Sequence, residues 1–424
     1  MTAERVTTTS SAAASRRGDE IRQAAGALFL AKGYAATTMN DIAAAVGILP
    51  GSLYHHFKSK EAVAAEILEA FNAELQELAS RLRRSGHRDL PAEQRLRELT
   101  REIVLLGQHH AAAVRLRIFE PPSSAGERFH SAVKFYPASL VRLWNAAAND
   151  LSAAISGSRL DPPMLTRALQ TLASTMAASL PASASPQDSA AVICDALLYG
   201  IAVDCPPDLD LDTSRPMAAA KEAVARWHEP LVEDELKAQI IAAARAEFAR
   251  RGYDATTIRD IAEASGVRMG TIYRRVNSME EILEEITINY AAHLDDAIRA
   301  VLTAEPEAAA ATLDAVSYVV VQAHRHFPDE TRMMSLSWSR PQQKQPAVQV
   351  SYREQVTDRM TLLTGVLADG ERGGDLRLPA SPEAFAPRLR SILWTRFAAR
   401  ENGRYSKVQP FMRNHLLRGV LPRS

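Results

Sequence analysis

Cysteine is nearly absent: Cys194 and Cys205 are the only two in 424 residues. Two thiols make no disulfide framework, and the expected location is the reducing cytoplasm. Net charge is absent too, with 50 Lys and Arg against 50 Asp and Glu. A nucleic-acid surface therefore cannot arise from overall basicity and needs local clustering. There is no uninterrupted apolar run of membrane-spanning length, so no membrane span is expected. The first residues lack the apolar core of a signal peptide. No glycine-rich phosphate loop and no dense His, Cys or carboxylate set is visible, so neither a cofactor nor a metal site is expected. Strand patterning is missing throughout, which leaves an all-α chain.

What is present occurs twice. Gly33 to Glu61 reads GYAATTMNDIAAAVGILPGSLYHHFKSKE, and Gly252 to Glu280 reads GYDATTIRDIAEASGVRMGTIYRRVNSME, 219 residues later. From Glu20 to Glu61 the two copies share 19 of 42 positions without a gap. Chance alanine matches do not explain the shared Gly, Tyr, Thr-Thr and Asp-Ile-Ala. The register returns at Leu197-Leu198 and Leu416-Leu417, so the repeat unit is about half the chain, too long for a solenoid.

Each copy predicts two short helices around a tight turn. Thr38 and Asp41 have capping-box spacing at the first helix start. Ile42, Ala43 and Val46 form its apolar stripe. Gly47 stands where the turn needs positive φ, and Pro50 suits the first turn of the second helix. That second helix, Pro50 to about Phe57, has few core-suited residues and can present its N-terminal end to a major groove. Ile21, Ala24, Ala25, Leu28 and Phe29 predict a supporting helix over about 19–32.

This pattern resembles the DNA-binding domain of TetR-family transcriptional regulators. The first copy matches along its length. The second departs at Val276 and Met279, where the family pattern has Phe and the Lys of S-K-E. The resemblance implies a three-helix head followed by a helical ligand-binding and dimerisation domain, here present twice. The expected division is a disordered tail over 1–18, heads over 19–66 and 231–285, helical ligand domains over 67–205 and 286–424, and a linker over 206–230. Met1–Gly18 could also act as an Arg-bearing arm on DNA. Long helices after each head, to about Arg83 and Val301, are expected to act as levers. One long helix is expected over Glu127–Ile155, and CPPDLDLDTSRP (205–216) is expected to be an irregular linker. The closing helices of the two units, around Leu165–Val203 and Phe385–Val420, are expected to pack together as an intramolecular pseudo-dimer.

The expected DNA contacts are Thr38, Gly51, Ser52, Tyr54, His55 and Lys60 in the first head. In the second they are Thr257, Arg268, Met269, Gly270, Thr271, Tyr273 and Arg274. Tyrosine, hydroxyl and lysine groups suit phosphates, whereas the Arg268 guanidinium suits a guanine edge. Arg259, Arg268, Arg274 and Arg275 stand opposite Asn40, Leu49, His55 and His56, so the heads should read different half-sites and the operator DNA should not be a perfect palindrome. For a small-molecule effector of hydrophobic or acyl type, the candidates are Arg101, His109, Arg115, Phe119, Phe135 and Trp144, with Arg117 a further cation for an acid group. One functional pocket is expected, in the N-terminal unit. His109 and His110 lack a further metal ligand in sequence. The leading expectation is a ligand-released repressor. The alternatives are a DNA-binding regulator without a small-molecule switch and, from another class, a helical enzyme, for which nothing in the sequence speaks. Further pairing of whole chains into a homodimer stays open.

Overall fold

Local sequence sets the helix ends in both heads. In the computed structural model, residues 3–34, 36–118, 126–155, 159–179, 185–228, 234–253, 256–305, 307–337, 347–394 and 405–422 are described. The first unit begins with α1 (Ala3–Lys32), α2 (Met39–Val46), α3 (Pro50–His56) and α4 (Lys60–Arg84). α1 runs through the segment expected to be an unstructured tail, and its first residues include the good helix formers Ala12, Ala13 and Ala14. The body follows as α5 (Ala92–His109), α6 (Ala111–Ile118), α7 (Glu127–Lys134), α8 (Ala138–Ala154), α9 (Pro162–Ser179) and α10 (Pro186–Tyr199). The single helix expected over 127–155 is thus two helices. Pro137 lacks an N–H and holds Tyr136 out of the helical region, so α7 must stop before it.

The segment expected to be an irregular linker is helical and packed. It forms α11 (Asp208–Thr213) and α12 (Arg215–Ala225), with Ser214 accepting from Met217 N at the α12 start. Its Pro and Asp residues work as helix starters, not breakers. Leu211, Met217, Ala220 and Ala223 are buried. Arg413 bridges Asp212 at 2.6 Å and buried Asp314 at 2.7 Å, and Arg418 holds Asp208 at 2.6 Å. Burial raises the Asp314 carboxyl while its bonds to Arg413 oppose that rise.

The second unit repeats the order with α13 (Glu235–Arg251), α14 (Ile258–Ser265), α15 (Met269–Ile272), α16 (Met279–Leu302), α17 (Ala309–His326), α18 (Pro328–Ser337), α19 (Ala347–Gly373), α20 (Pro382–Leu393) and α21 (Tyr405–Phe411). A π-helical segment, Met412–Leu417, continues from α21. Here α19 takes the place of the broken pair α7 and α8. Among the described residues the only β pairing is an isolated bridge between Ala202 and Leu376. No described helix is long and apolar enough to cross a membrane.

The units meet through their closing helices, as the repeat predicts. Ile201 N donates to Leu417 O at 3.1 Å, and Val420 N donates to Leu198 O at 2.7 Å. Ala202 N donates to Leu417 O at 3.0 Å, and Leu421 N to Leu198 O at 2.8 Å. Each pair is one bond and its counterpart under the 219-residue register, with donor and acceptor units exchanged. Gly200 (φ 68°) and Gly419 (φ 76°) lie at the crossing. A Cβ on Gly419 would stand 2.2 Å from Tyr199 C, and one on Gly200 would stand 2.4 Å from Gly419 N. Both glycines are therefore required twice over, by φ and by contact.

His415 breaks this symmetry, since its counterpart is Ala196. It is wholly buried, with Nδ1 3.2 Å from Leu197 O and Nε2 3.5 Å from Asp161 N. The carbonyl requires the proton on Nδ1, so the ring is neutral with Nε2 as acceptor. Burial pulls its pKa down to about 4.

Two outcomes are expected at this interface. Gly419→Ala should lose about 1–3 kcal/mol in urea unfolding, from strained φ and overpacking against backbone. His415 binds its proton more readily unfolded than folded, so the stability it permits is present at neutral pH. It is lost as pH falls from about 6.5 toward about 4, by about 3 kcal/mol in full. Urea unfolding at pH 7 and pH 5.5 should show a smaller acid loss in His415→Gln than in the parent chain.

Candidate nucleic-acid interface

The two heads are built from matched parts. Ile21, Ala25, Phe29, Ile42, Leu53, Phe57 and Val63 are buried in the first, and Ile240, Ala244, Phe248, Ile261, Ile272, Val276 and Ile282 in the second. Every member pairs with its counterpart 219 residues on, including Phe57 with the divergent Val276. The second, buried threonine pair matches as well: Thr37 Oγ1 donates to Gly33 O at 2.8 Å and Thr256 Oγ1 to Gly252 O at 2.9 Å. These bonds fix the bend between supporting helix and turn helix.

Both turn helices start on reciprocal capping boxes. Asp41 N donates to Thr38 Oγ1 at 3.1 Å while Thr38 N donates to Asp41 Oδ2 at 2.9 Å. In the second head Asp260 N donates to Thr257 Oγ1 at 3.3 Å and Thr257 N to Asp260 Oδ2 at 2.8 Å. Lys32 adds an ion pair to Asp41 at 2.8 Å, and its hydrogen bond, with those from Thr38, holds that carboxyl far below the usual range. Gly47 (φ 71°) and Gly266 (φ 67°) end the helices in the left-handed region.

The recognition helices then stand free of the core except at Leu53 and Ile272. Gly51, Ser52, Tyr54 and His55 are exposed in the first, as are Arg268, Met269, Gly270, Tyr273 and Arg274 in the second, with Thr271 half-buried. Thr38 and Thr257 are exposed at the neighbouring helix start. Tyr54 and Tyr273 keep 52% and 56% exposure at matching places on the two recognition helices. Arg268 caps α15 by its backbone alone, so its guanidinium is not used in the fold. Arg274 is folded back onto Gly270 O and Thr271 Oγ1, each at 3.2 Å, and Arg275 is paired with Asp234.

Two placements add to the sequence reading. Lys60 donates to Tyr34 O at 2.7 Å and lies 4.5 Å from the Tyr34 ring centre. Its ammonium thus ties α4 to the turn of the head, and burial lowers its pKa. The second recognition helix is also shorter, four residues against seven, because Tyr273 to Val276 close with tighter turns such as Arg275 N to Ile272 O at 2.8 Å. Leu49, set opposite Arg268 by the repeat but not among the expected DNA contacts, is 78% exposed at the first recognition-helix start. Its position one residue before Pro50 was the available signal.

The ligand candidates do not gather. Arg101 and His109 are exposed, Phe135 is 36% exposed, Trp144 is wholly buried, and Phe119 lies outside the described residues. Arg115 donates to Leu30 O at 3.3 Å, tying the body to the head. Arg117 turns inward instead. It lies 4.8 Å from the Phe71 ring and bonds Asn72, and burial pulls its pKa down to about 10. A cavity of about 100 Å³ lies in the other unit, among α16 to α20. Its apolar wall includes Val316, Met334 and Leu363, and its polar groups include Tyr290, Arg359 and Arg390. None of the five described candidates lines it. Arg359 pairs with Asp295 at 3.1 Å, and burial lowers the Arg390 guanidinium pKa.

Comparison with known proteins accounts for the matched heads. The family model for bacterial regulatory proteins of the tetR family matches residues 21–67 and again 240–286. The HTH-type transcriptional repressor KstR2 of Mycolicibacterium smegmatis is 56% identical over 63 residues, 15% of this chain and 30% of that protein. The HTH-type transcriptional repressor DhaR of a Mycobacterium species is 42% identical over 53 residues, 12% of this chain and 27% of that protein. The chain thus spans less than a third of the length of the curated relatives it matches. Among solved structures, the ketosteroid transcriptional regulator KstR2 of Mycobacterium tuberculosis covers 43% of this chain and 92% of its own, at 19% identity and a TM-score of 0.39. The repeated family match, set on two heads with the same caps, turns and core, makes this chain a TetR-family protein composed of two fused units.

Proposed function

We propose that the chain is a DNA-binding transcriptional repressor in which one polypeptide supplies both recognition helices of an operator-bound pair. The observation that carries this reading is the pair of capped heads, each leaving a tyrosine and a set of polar groups exposed on its recognition helix. Tyr54, Tyr273, Ser52, Thr271, Thr38 and Thr257 offer hydroxyls to phosphates, which position without specifying sequence. Gly51 and Gly270 admit the backbone close to DNA. His55, Met269 and Arg274 flank these contacts. Arg268 reads a guanine edge, while Leu49 at the matching place offers only an apolar surface, suited to a thymine methyl. The operator is accordingly two unlike half-sites and not a palindrome. Names of the curated relatives, which are repressors, support the direction of regulation.

Release by a small hydrophobic or acyl-type acid is part of the same proposal. The cavity in the second unit supports it, being apolar with tyrosine and arginine groups at its wall. That favours the C-terminal unit over the N-terminal one as the seat of the effector. Such a ligand acts only if it binds the DNA-incompetent arrangement of the heads more tightly than the competent one. α4 and α16 connect heads to bodies and are the elements through which that preference would act.

The test is selection of binding sites from random DNA followed by titration. One chain should occupy one asymmetric site. Arg268→Ala should relax preference at one or two base pairs of one half-site, at about 1–3 kcal/mol, and leave the other half-site unchanged. Tyr54→Phe and Tyr273→Phe should weaken every sequence by a similar factor. An unchanged site profile for Arg268→Ala removes that residue from base readout. A thermal-shift screen of fatty acids and their thioesters tests the effector, and Leu363→Trp, which fills the cavity, should abolish any shift found.

A further inference from the structure

We propose that the first unit binds one divalent transition-metal ion between the lever helix α4 and the turn joining α5 to α6, through Glu74, His109 and His110. The ligand atoms of these three side chains all lie within 4.8 Å of one another. Sequence supplies only the adjacent histidines; the fold brings Glu74 to them from 35 residues away. His110 Nε2 stands 2.9 Å from Glu74 Oε1, yet that buried nitrogen makes no hydrogen bond. A close imidazole and carboxylate without a shared hydrogen bond is the pair that a cation between them would satisfy. Phe71 packs on the His110 ring at 5.4 Å between centres and steadies it. His109 and Glu74 are exposed. Closing the set to about 2.0–2.2 Å from an ion needs only movement of these two side chains.

The donor set decides the class of ion. Two imidazoles and one carboxylate suit zinc, nickel or copper, whereas magnesium and calcium want oxygen ligands throughout. Three protein ligands leave the remaining positions to water, which the exposed rim supplies.

The second unit shows the same place closed. α5 and α17 are both 18 residues long, so their ends match: His109 with His326, and the cap His110 with Phe327. On the lever helix, Glu74 matches His293 in the 219-residue register. In this copy Phe327 stacks on His293 at 5.5 Å, and Trp227 from the segment after α12 lies 5.1 Å from Phe327 and donates to His293 O. A phenyl ring stands where the first unit has an imidazole ligand, and an indole covers it. Among the described residues the chain therefore holds one such site, not two. An ion there ties α4 to the body, on the same helix that carries the first head.

Zinc titration of the untagged full chain by calorimetry tests this. The expected result is one equivalent of Zn²⁺ per chain, no heat with Mg²⁺, and affinity at least about tenfold weaker in both His109→Ala/His110→Ala and Glu74→Gln. His293→Ala should bind like the parent. Circular dichroism checks that each variant is folded, and Glu74→Gln, a conservative exposed change, covers the case in which the double variant is not. No saturable zinc binding, two equal sites, or binding undiminished in Glu74→Gln and the double variant would overturn the proposal. No DNA is present in the measurement, so its outcome is independent of the repressor reading.

Discussion

The crossing of Gly200 and Gly419 is the constraint on which the two-unit arrangement depends. Five backbone bonds pass between residues 198–202 of one unit and 416–421 of the other, and two glycines leave no room for a single additional carbon. Backbone bonds depend little on side-chain identity. This explains how the closing helices can diverge in sequence, Tyr199 against Arg418 and Ala196 against His415, while the geometry of the crossing stays reciprocal. Side-chain packing supports the crossing from both sides. Arg388 of α20 reaches Ser189 of α10 at 3.0 Å, and Arg413 and Arg418 tie down the connection that follows the first unit.

From that crossing outward, similarity rises toward the heads. A head must satisfy several demands with few residues: a cap, a left-handed turn, a buried threonine and a small core. Each demand selects particular residue types at fixed spacing, so the heads were legible in the sequence down to Thr38, Asp41 and Gly47. Bodies are different. Their helices need only apolar faces, which many sequences provide, and their partners lie far off in the chain. Helix existence could be read there, but not which side chains share a cavity. The break at Pro137 follows from proline chemistry, which overrides the apolar periodicity on either side of it. Asp and Pro at 206–216 fit a break and a helix start equally well; only packing of the segment tells which role applies. The triad of Glu74, His109 and His110 was half legible, since the spacing of two histidines carries no information about a carboxylate on another helix.

Fusion changes what such a protein can vary. In a homodimer every substitution appears on both sides of the axis, and a buried imidazole would be paid for twice. Here His415 occurs once, against Ala196, and its neutral ring bonds Leu197 on the opposite unit. The same freedom separates Leu49 from Arg268, the closed aromatic cluster of Trp227, His293 and Phe327 from the open one at Glu74, and the polar interior around Arg117 from the apolar cavity around Leu363. Each contrast places a distinct chemistry in one unit only.

The covalent connection also alters the thermodynamics that permits this. Two separate chains must overcome the entropy of association, and a weaker interface then dissociates on dilution. Within one chain each unit meets the other at a fixed effective concentration, about millimolar for a short flexible connection, whatever the protein concentration. In this chain α11 and α12 of the connection are packed and ion-paired. The interface can therefore retain a buried histidine and an asymmetric set of side chains without losing the pairing of units. The stability available to hold the heads in register is set by local geometry at Gly200 and Gly419, and the bodies are left free to diverge in their interiors.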